Sequence, residues 1–459
     1  MPLVAAVSPF PSADANFAAR NWFLRVSGPQ VGLKWGSTTA QTSLAESGSR
    51  RHSPARGRSA GATKMTMADS ATIGAEVHAA PKSKARNLAI DRARTFLTLV
   101  VLLHHAVIPY TYFGHTDPKY FFGFDMIVLA TDSFFMAMFF FLSGLFAWSG
   151  IARKGARSYL ADRLLRLGLP FAICALTVIP LAYYAISLRQ HPEIGFSEFW
   201  WNMVTKGPWP SGPIWFLWVL FAFDLVACLL HRLSPNLLDP INRLSLHGRR
   251  RPAVFFAVML AVTAAFYIPG RVHFGPSSWF EFGPFSVQHG RVMLYATYFF
   301  FGAGIGVAQM DRGLLAVDGR MAKVSWDWMV LAIVPYCLLW VLIFIKREIL
   351  GNPSPLPDWY EALYAICFTV FSVAIMFLIL AFFQRFRQSG SAKLLDPMQS
   401  DAFGMFLVHY PIALWLQYWL FEYGLPAIVK ATIGFVLTVM ASWALTRALR
   451  QIPGATKVL

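Results

Sequence analysis

The sequence predicts an all-α fold: a polytopic membrane bundle of about ten transmembrane helices with both termini in the cytoplasm. Three observations carry that expectation. Of the 459 residues, 56% are apolar and only 14% are charged. Soluble domains carry about 25% charged residues. Ten stretches approach the roughly 20 apolar residues a spanning helix needs. The loops between them alternate between basic and nearly uncharged, which is the positive-inside pattern.

The ten stretches lie near 95–112, 126–147, 164–188, 213–231, 252–268, 290–309, 328–345, 361–383, 401–421 and 427–446. The lead-in with Arg86, Arg92 and Arg94 is basic. So are the loop with Arg153, Lys154, Arg157 and Arg163, the loop with Arg249, Arg250 and Arg251, and the two later loops around Arg320 and Arg385. The intervening loops hold few Lys or Arg and many Trp, Gly and Pro, as in 206–213 and 275–280. Aromatic rings are favoured at the membrane–water interface. They also suit sugar stacking.

Residues 1–85 differ from the rest. They lack apolar periodicity and are rich in Ser, Ala, Gly and Arg, so a disordered basic tail is expected. Met65 and Met67 are candidate alternative starts. The membrane domain is expected over 86–450, followed by a short cytoplasmic tail over 451–459. The net charge is +17, of which +7 lies within 1–86. Most of the remaining +10 sits on alternate loops, where it records orientation. A nucleic-acid partner is not needed to explain it. Cys174, Cys228, Cys337 and Cys367 lie singly inside apolar runs, which reads as buried thiols and not as a disulfide or zinc framework.

An ionisable group in hydrocarbon is costly and faces a bundle interior or a water-filled space. The first span offers Arg94 and His105, eleven residues apart. Three helical turns take about 10.8 residues, so the two share one face about 16 Å apart. This spacing puts Arg94 at the cytoplasmic rim and His105 near mid-membrane. Asp91 is placed to pair with Arg94, and His104 points about 100° away from His105. In the second span Asp132 and Ser143 repeat the eleven-residue spacing. Counting from the outer edge brings Asp132 to the depth of His105, where a carboxylate would hold the imidazole in one tautomer. Ser143-Gly144 reads either as a nucleophile or as a close-packing pair. Arg163 and Arg166 start the third span and suit an anionic ligand or simple anchoring. Asp224 and His409 are further ionisable groups within spans.

These residues resemble acyltransferase family 3, the polytopic membrane acyltransferases. The resemblance covers about residues 86–450. It rests on Asp91-Arg-Ala-Arg94 leading to His104-His105, with ten residues between Arg94 and His105. It also rests on Phe139-Phe-Phe-Leu-Ser-Gly-Leu-Phe146, Arg163-x-x-Arg166-x-x-x-Pro170, Ile214-Trp215-Phe-Leu217 and Gly404-Met-Phe-Leu-Val-His409-Tyr-Pro411. The last departs from the usual aromatic–Leu pair by Met405-Phe406. With no appended hydrolase-like domain, the chain looks like the stand-alone members, such as the glucans biosynthesis protein C group.

The resemblance implies an enzyme of the plasma membrane. It would move an acyl group, acetyl or succinyl in class, from cytoplasmic acyl-CoA to a hydroxyl of an extracytoplasmic carbohydrate or glucan. Acyl-CoA is then a donor substrate, with no bound cofactor and no metal. His105, Asp132 and Ser143 become the catalytic candidates. Arg94, Arg163 and Arg166 become the CoA-phosphate candidates, and Asp91, His104, Trp215 and His409 the orienting ones. A transporter or flippase of envelope glycan or lipid intermediates is the competing class, since intramembrane His and Asp also relay protons. A structural subunit of a polysaccharide machine is a second.

Overall fold

A computed structural model describes residues 87–459 apart from 308–309, 311, 324, 354 and 387–389. The tail and start-site expectations for residues 1–85 lie outside the described residues. The described residues are 75% helical, and the chain is a polytopic helical membrane protein.

Helix α1 (Leu88–Val107) starts where the Asn87 side chain accepts from the Ile90 N–H at 3.2 Å, an N-cap. It stops ahead of Pro109, which opens a 3₁₀ turn over Ile108–Tyr110. The span therefore begins some seven residues before the expected 95. His104 and His105 fall in its last turn and not at its middle. Next come α2 (Phe122–Gly144), α3 (Ala147–Lys154) and α4 (Ala156–Arg163). A π-helical turn over Leu164–Gly168 joins α4 to α5 (Leu169–Leu176), which is followed by α6 (Val178–Ser187). Pro170 lacks an amide hydrogen, so a regular ladder is broken there in any case. After α7 (Phe196–Lys206) come α8 (Trp215–Leu233), α9 (Asp239–Gly248) and α10 (Pro252–Phe274). A hairpin, β1 (Trp279–Phe282) and β2 (Phe285–Gln288), leads into α11 (Val292–Ile305). The chain ends with the short α12 (Arg320–Lys323), α13 (Ser325–Phe344), α14 (Asp358–Phe386), α15 (Ala402–Phe421) and α16 (Ala427–Leu449).

Eight of these segments are long and apolar enough to cross a membrane. The two further expected spans correspond to α11 and α15. Helix α11 has only 14 residues. Helix α15 has 20 residues, but polar His409 and Gln417 interrupt its apolar run. The apolar windows of α1, α2 and α14 are 67%, 67% and 72% buried, against 28% for α10, α13 and α16. The first three therefore form the interior, and the last three present their sides outward. Helix α1 packs against α2, α14, α15 and α16, so its polar stripe is enclosed by protein.

Helices α2 and α11 cross with their backbones in close approach. A Cβ on Gly144 would meet the Phe299 carbonyl oxygen at 2.1 Å. One on Gly302 would meet that of Phe141 at 2.1 Å, and one on Gly306 that of Leu145 at 2.0 Å. Small residues at helix interfaces permit this approach, and dispersion and carbonyl contacts then hold the pair. Gly144 is thus a packing residue.

The hairpin was not expected from an all-α pattern. Gly283, at φ +54°, supplies its turn. It folds onto the start of α8: the Trp218 indole donates to the Ser286 carbonyl at 3.0 Å, and the Ser211 and Ser286 hydroxyls pair at 2.5 Å. At the same end the fully buried Lys430 of α16 donates to Asp117 at 2.9 Å and to the Phe421 carbonyl at 3.1 Å. This fastens the loop after α1 over the bundle. At the opposite end the buried Arg92 grips Asp396 at 2.7 and 2.8 Å and the Gly390 carbonyl at 2.6 Å. The Arg92 hydrogen bond holds the Asp396 carboxyl below its ordinary range. A carboxylate with a depressed folded value stabilises above its unfolded value and loses that contribution as pH falls through the folded one. The latch is therefore complete at neutral pH and opens only in acid. Cys174, Cys228 and Cys367 are buried as expected, whereas Cys337 is exposed on the outward side of α13.

Candidate active site

Two histidines at the end of α1 face different neighbours. His104 is buried, and its Nδ1 lies 2.8 Å from the Thr131 hydroxyl of α2. That hydroxyl in turn donates to the Ile127 carbonyl at 2.8 Å. The His104 ring also packs on Phe135 at 5.1 Å. His105 turns toward α15 and stays partly exposed. Its Nδ1 is 3.0 Å from the Val101 carbonyl oxygen and 3.2 Å from Nε2 of His409. His409 is fully buried, and its Nδ1 sits 2.6 Å from the Phe406 carbonyl oxygen. The Tyr410 ring stands edge-on to His105 at 5.1 Å. Gln417, two turns further along α15, donates to the His105 carbonyl at 2.7 Å. That carbonyl is one of the orphan acceptors at a helix C-terminus.

Asp132 does not contact His105 as the depth count had expected. It forms a bidentate pair with Arg291 at 2.9 and 2.6 Å. The cause is tertiary: α11 begins beside α2 and brings Arg291 closer to the carboxylate than any imidazole. A second pair, Arg271 with Glu361 at 2.6 Å, is buried nearby. Between the two pairs lie Tyr267, whose buried hydroxyl finds no partner among the described residues, and Tyr364 under Arg271 at 4.9 Å. The Asp132 side chain is nevertheless 42% exposed. This carboxylate is therefore the accessible member of its ion pair.

Trp215, at the start of α8, packs tilted against Tyr295 at 5.3 Å, and Tyr295 stacks on Phe140 at 5.0 Å. The aromatic stack walls the same region as Arg291.

The Arg94 end is built separately. Arg94 is partly exposed, donates to the Leu142 carbonyl at 2.9 Å and lies over the Phe146 ring at 4.6 Å. Asp91, one turn earlier, attracts its charge. Arg163 is close enough to act on Arg94 electrostatically, but its Nε is occupied by Tyr159 Oη at 2.9 Å and Asp224 at 3.1 Å. Tyr159 also donates to Asp224 at 2.6 Å. Asp224 thus serves to tie α4 to α8. Arg166, in the π turn, is exposed.

Ser143 stands at the Arg94 end, next to the Leu142 carbonyl that Arg94 holds. Thr131, which meets His104, is twelve residues earlier on α2, about 18 Å along the axis. Ser143 and His105 are therefore at opposite ends of the stripe. This removes Ser143 as a nucleophile activated by that histidine.

The family model for an acyltransferase domain matches residues 87–447. The chain belongs to acyltransferase family 3. It is an enzyme that transfers acyl groups other than aminoacyl groups, and it is embedded in a membrane. No curated protein matches it, and no solved structure does.

Arg271, Arg291, Glu361 and Tyr267 went unnoticed in the sequence. The arginines sit at the edges of loop 269–289, on the side expected to be poor in cations. An arginine kept on that side is the signal that was available.

Proposed function

We propose that this family 3 acyltransferase works in the plasma membrane. It moves an acetyl- or succinyl-class acyl group from cytoplasmic acyl-CoA to a hydroxyl of an extracytoplasmic carbohydrate, a glucan among the candidates. The observation that carries this reading is the α1 stripe. Arg94 and His105 share one helix face about 16 Å apart, both partly exposed on a helix otherwise enclosed by four others.

In this reading His105 is the general base. Imidazole suits the task because its ordinary pKa is near neutral. It takes the proton of the acceptor hydroxyl as the oxygen attacks the thioester carbon. The C–S bond breaks, and the CoA thiolate leaves and recovers the proton. Arg94 is the donor-side cation, with guanidinium N–H groups left for phosphate beyond its bond to the Leu142 carbonyl among the described residues. Arg163 and Arg166 add positive charge at the same mouth, Arg163 from a fixed position. Asp132 belongs to the acceptor side. A carboxylate only accepts hydrogen bonds, so it favours a hydroxyl-bearing ligand over an anionic one.

The test is an acyl-CoA assay in membranes with labelled acetyl and succinyl donors. Acceptor-dependent CoA release that disappears in His105→Gln, with the protein still in the membrane, is the expected result. Wild-type acylation by His105→Gln overturns the base assignment. Movement of substrate across the bilayer without CoA release overturns the enzymatic reading in favour of a transporter.

A further inference from the structure

We propose that His409 is the positioning residue for His105, taking the orienting place that a carboxylate fills in other catalytic triads. The inference rests on His105 as the base. It starts from proton counting along one chain of contacts. A carbonyl oxygen only accepts, so His409 Nδ1, 2.6 Å from the Phe406 carbonyl, carries a hydrogen. In neutral His409 the other nitrogen, Nε2, is then a lone pair. His105 Nδ1 faces the Val101 carbonyl at 3.0 Å and that lone pair at 3.2 Å. Both are acceptors, so His105 Nδ1 carries its hydrogen and shares it between them.

The consequence falls on the far side of the His105 ring. With the hydrogen on Nδ1, Nε2 of His105 is the basic nitrogen. When Nε2 takes a proton, the positive charge spreads to Nδ1–H, which already has two acceptors waiting. The end of α1 adds to this, because a helix C-terminus favours a cation. Asp132 does not fill the role, because its carboxylate is turned to Arg291 in a two-point pair. His409 is itself locked: it is fully buried, and its ring is anchored one turn back to Phe406.

The geometry specifies which replacements keep the function. The terminal amide oxygen of Gln reaches the place of imidazole Nε2, whereas the shorter Asn reaches that of Nδ1. Leu has similar bulk and no acceptor. If His409 sets the tautomer, His409→Gln should keep kcat within about tenfold of wild type, while His409→Leu and His409→Asn lose about a hundredfold, the scale of a misdirected general base. The KM for acyl-CoA should stay within about threefold in all three, since Arg94 is three turns away. A residue that only fills space predicts the opposite order, with Leu best tolerated. That order overturns the proposal, as does equal loss in Gln and Leu.

A second measurement needs no variant activity. Nitrogen NMR of histidine-labelled wild-type protein in lipid, with the His105 signals assigned by their loss in His105→Gln, should show His105 protonated at Nδ1 and bare at Nε2. The reverse tautomer overturns the proposal. Failure of the underlying base reading looks different: His105→Gln would then retain acylation whatever His409 does.

Discussion

At the scale of single residues, the site is organised by which group reaches which partner first. Asp132 and His105 stand at similar depth, yet the carboxylate is taken by Arg291 in a two-point contact. Charge-assisted bidentate pairs are among the strongest hydrogen bonds in proteins, so a neutral imidazole does not displace the guanidinium. This separates Asp132 from the histidine and leaves the acceptor side as its proposed place. Asp132→Asn keeps the shape and one accepting oxygen but weakens the Arg291 pair. Steady-state kinetics should show the acceptor KM rising about tenfold, with the acyl-CoA KM little changed. An unchanged acceptor KM would remove Asp132 from the acceptor side. The arginines at the other end divide in the same way. Arg163 is fastened to Tyr159 and Asp224, whereas Arg94 makes one backbone bond and stays partly exposed. Arg94→Ala should therefore raise the acyl-CoA KM at least tenfold, more than Arg166→Ala does, in the same assay.

At the scale of elements, helix ends and helix crossings decide more than helix interiors. Asn87 starts α1 earlier than hydropathy alone suggests, because residues 88–94 carry the charged Asp91, Arg92 and Arg94 but are helical by capping and packing. The shift moves His104 and His105 into the last turn, beside α15. The α2–α11 crossing depends on Gly144, Gly302 and Gly306, each with a carbonyl oxygen where a Cβ would lie. Overpacking of this kind costs about 1–3 kcal/mol, and here backbone must move. Gly302→Val should lower the thermal midpoint of the detergent-solubilised protein by several degrees and reduce its yield. Gly424→Val meets nothing within 4 Å and should leave both unchanged. A midpoint unchanged in Gly302→Val would deny the close approach.

At the scale of the whole molecule, the charge pattern assigns a side to each end. The basic loops share the Arg94 end in sequence, and the hairpin and the Lys430–Asp117 clasp occupy the other. In intact cells of a cysteine-free variant, an impermeant maleimide should label Ser277→Cys, just ahead of the hairpin, and spare Ser158→Cys, among the basic residues of α4. The reverse labelling would invert the proposed donor and acceptor sides. The molecule's charge otherwise says little about partners. It is spent on orientation, on the Arg92–Asp396 latch and on the Asp132–Arg291 and Arg271–Glu361 pairs.

The amino-acid sequence by itself determined the membrane class, the helical architecture, the loop alternation and the family, because these follow from composition, from 3.6-residue periodicity and from short motifs in order. It also placed Arg94 and His105 on one stripe, since a single helix sets that geometry. Tertiary structure alone decided that Asp132 meets Arg291 and that His105 meets His409, the contact that leaves Ser143 at the other end of the site. Each of these contacts joins residues far apart in the chain, across the 159 positions from Asp132 to Arg291 or the 304 from His105 to His409. Helix periodicity fixes neighbours only within one helix. Which faces of separate helices meet is set by packing, here by three glycines and the turns that end α1 and begin α11.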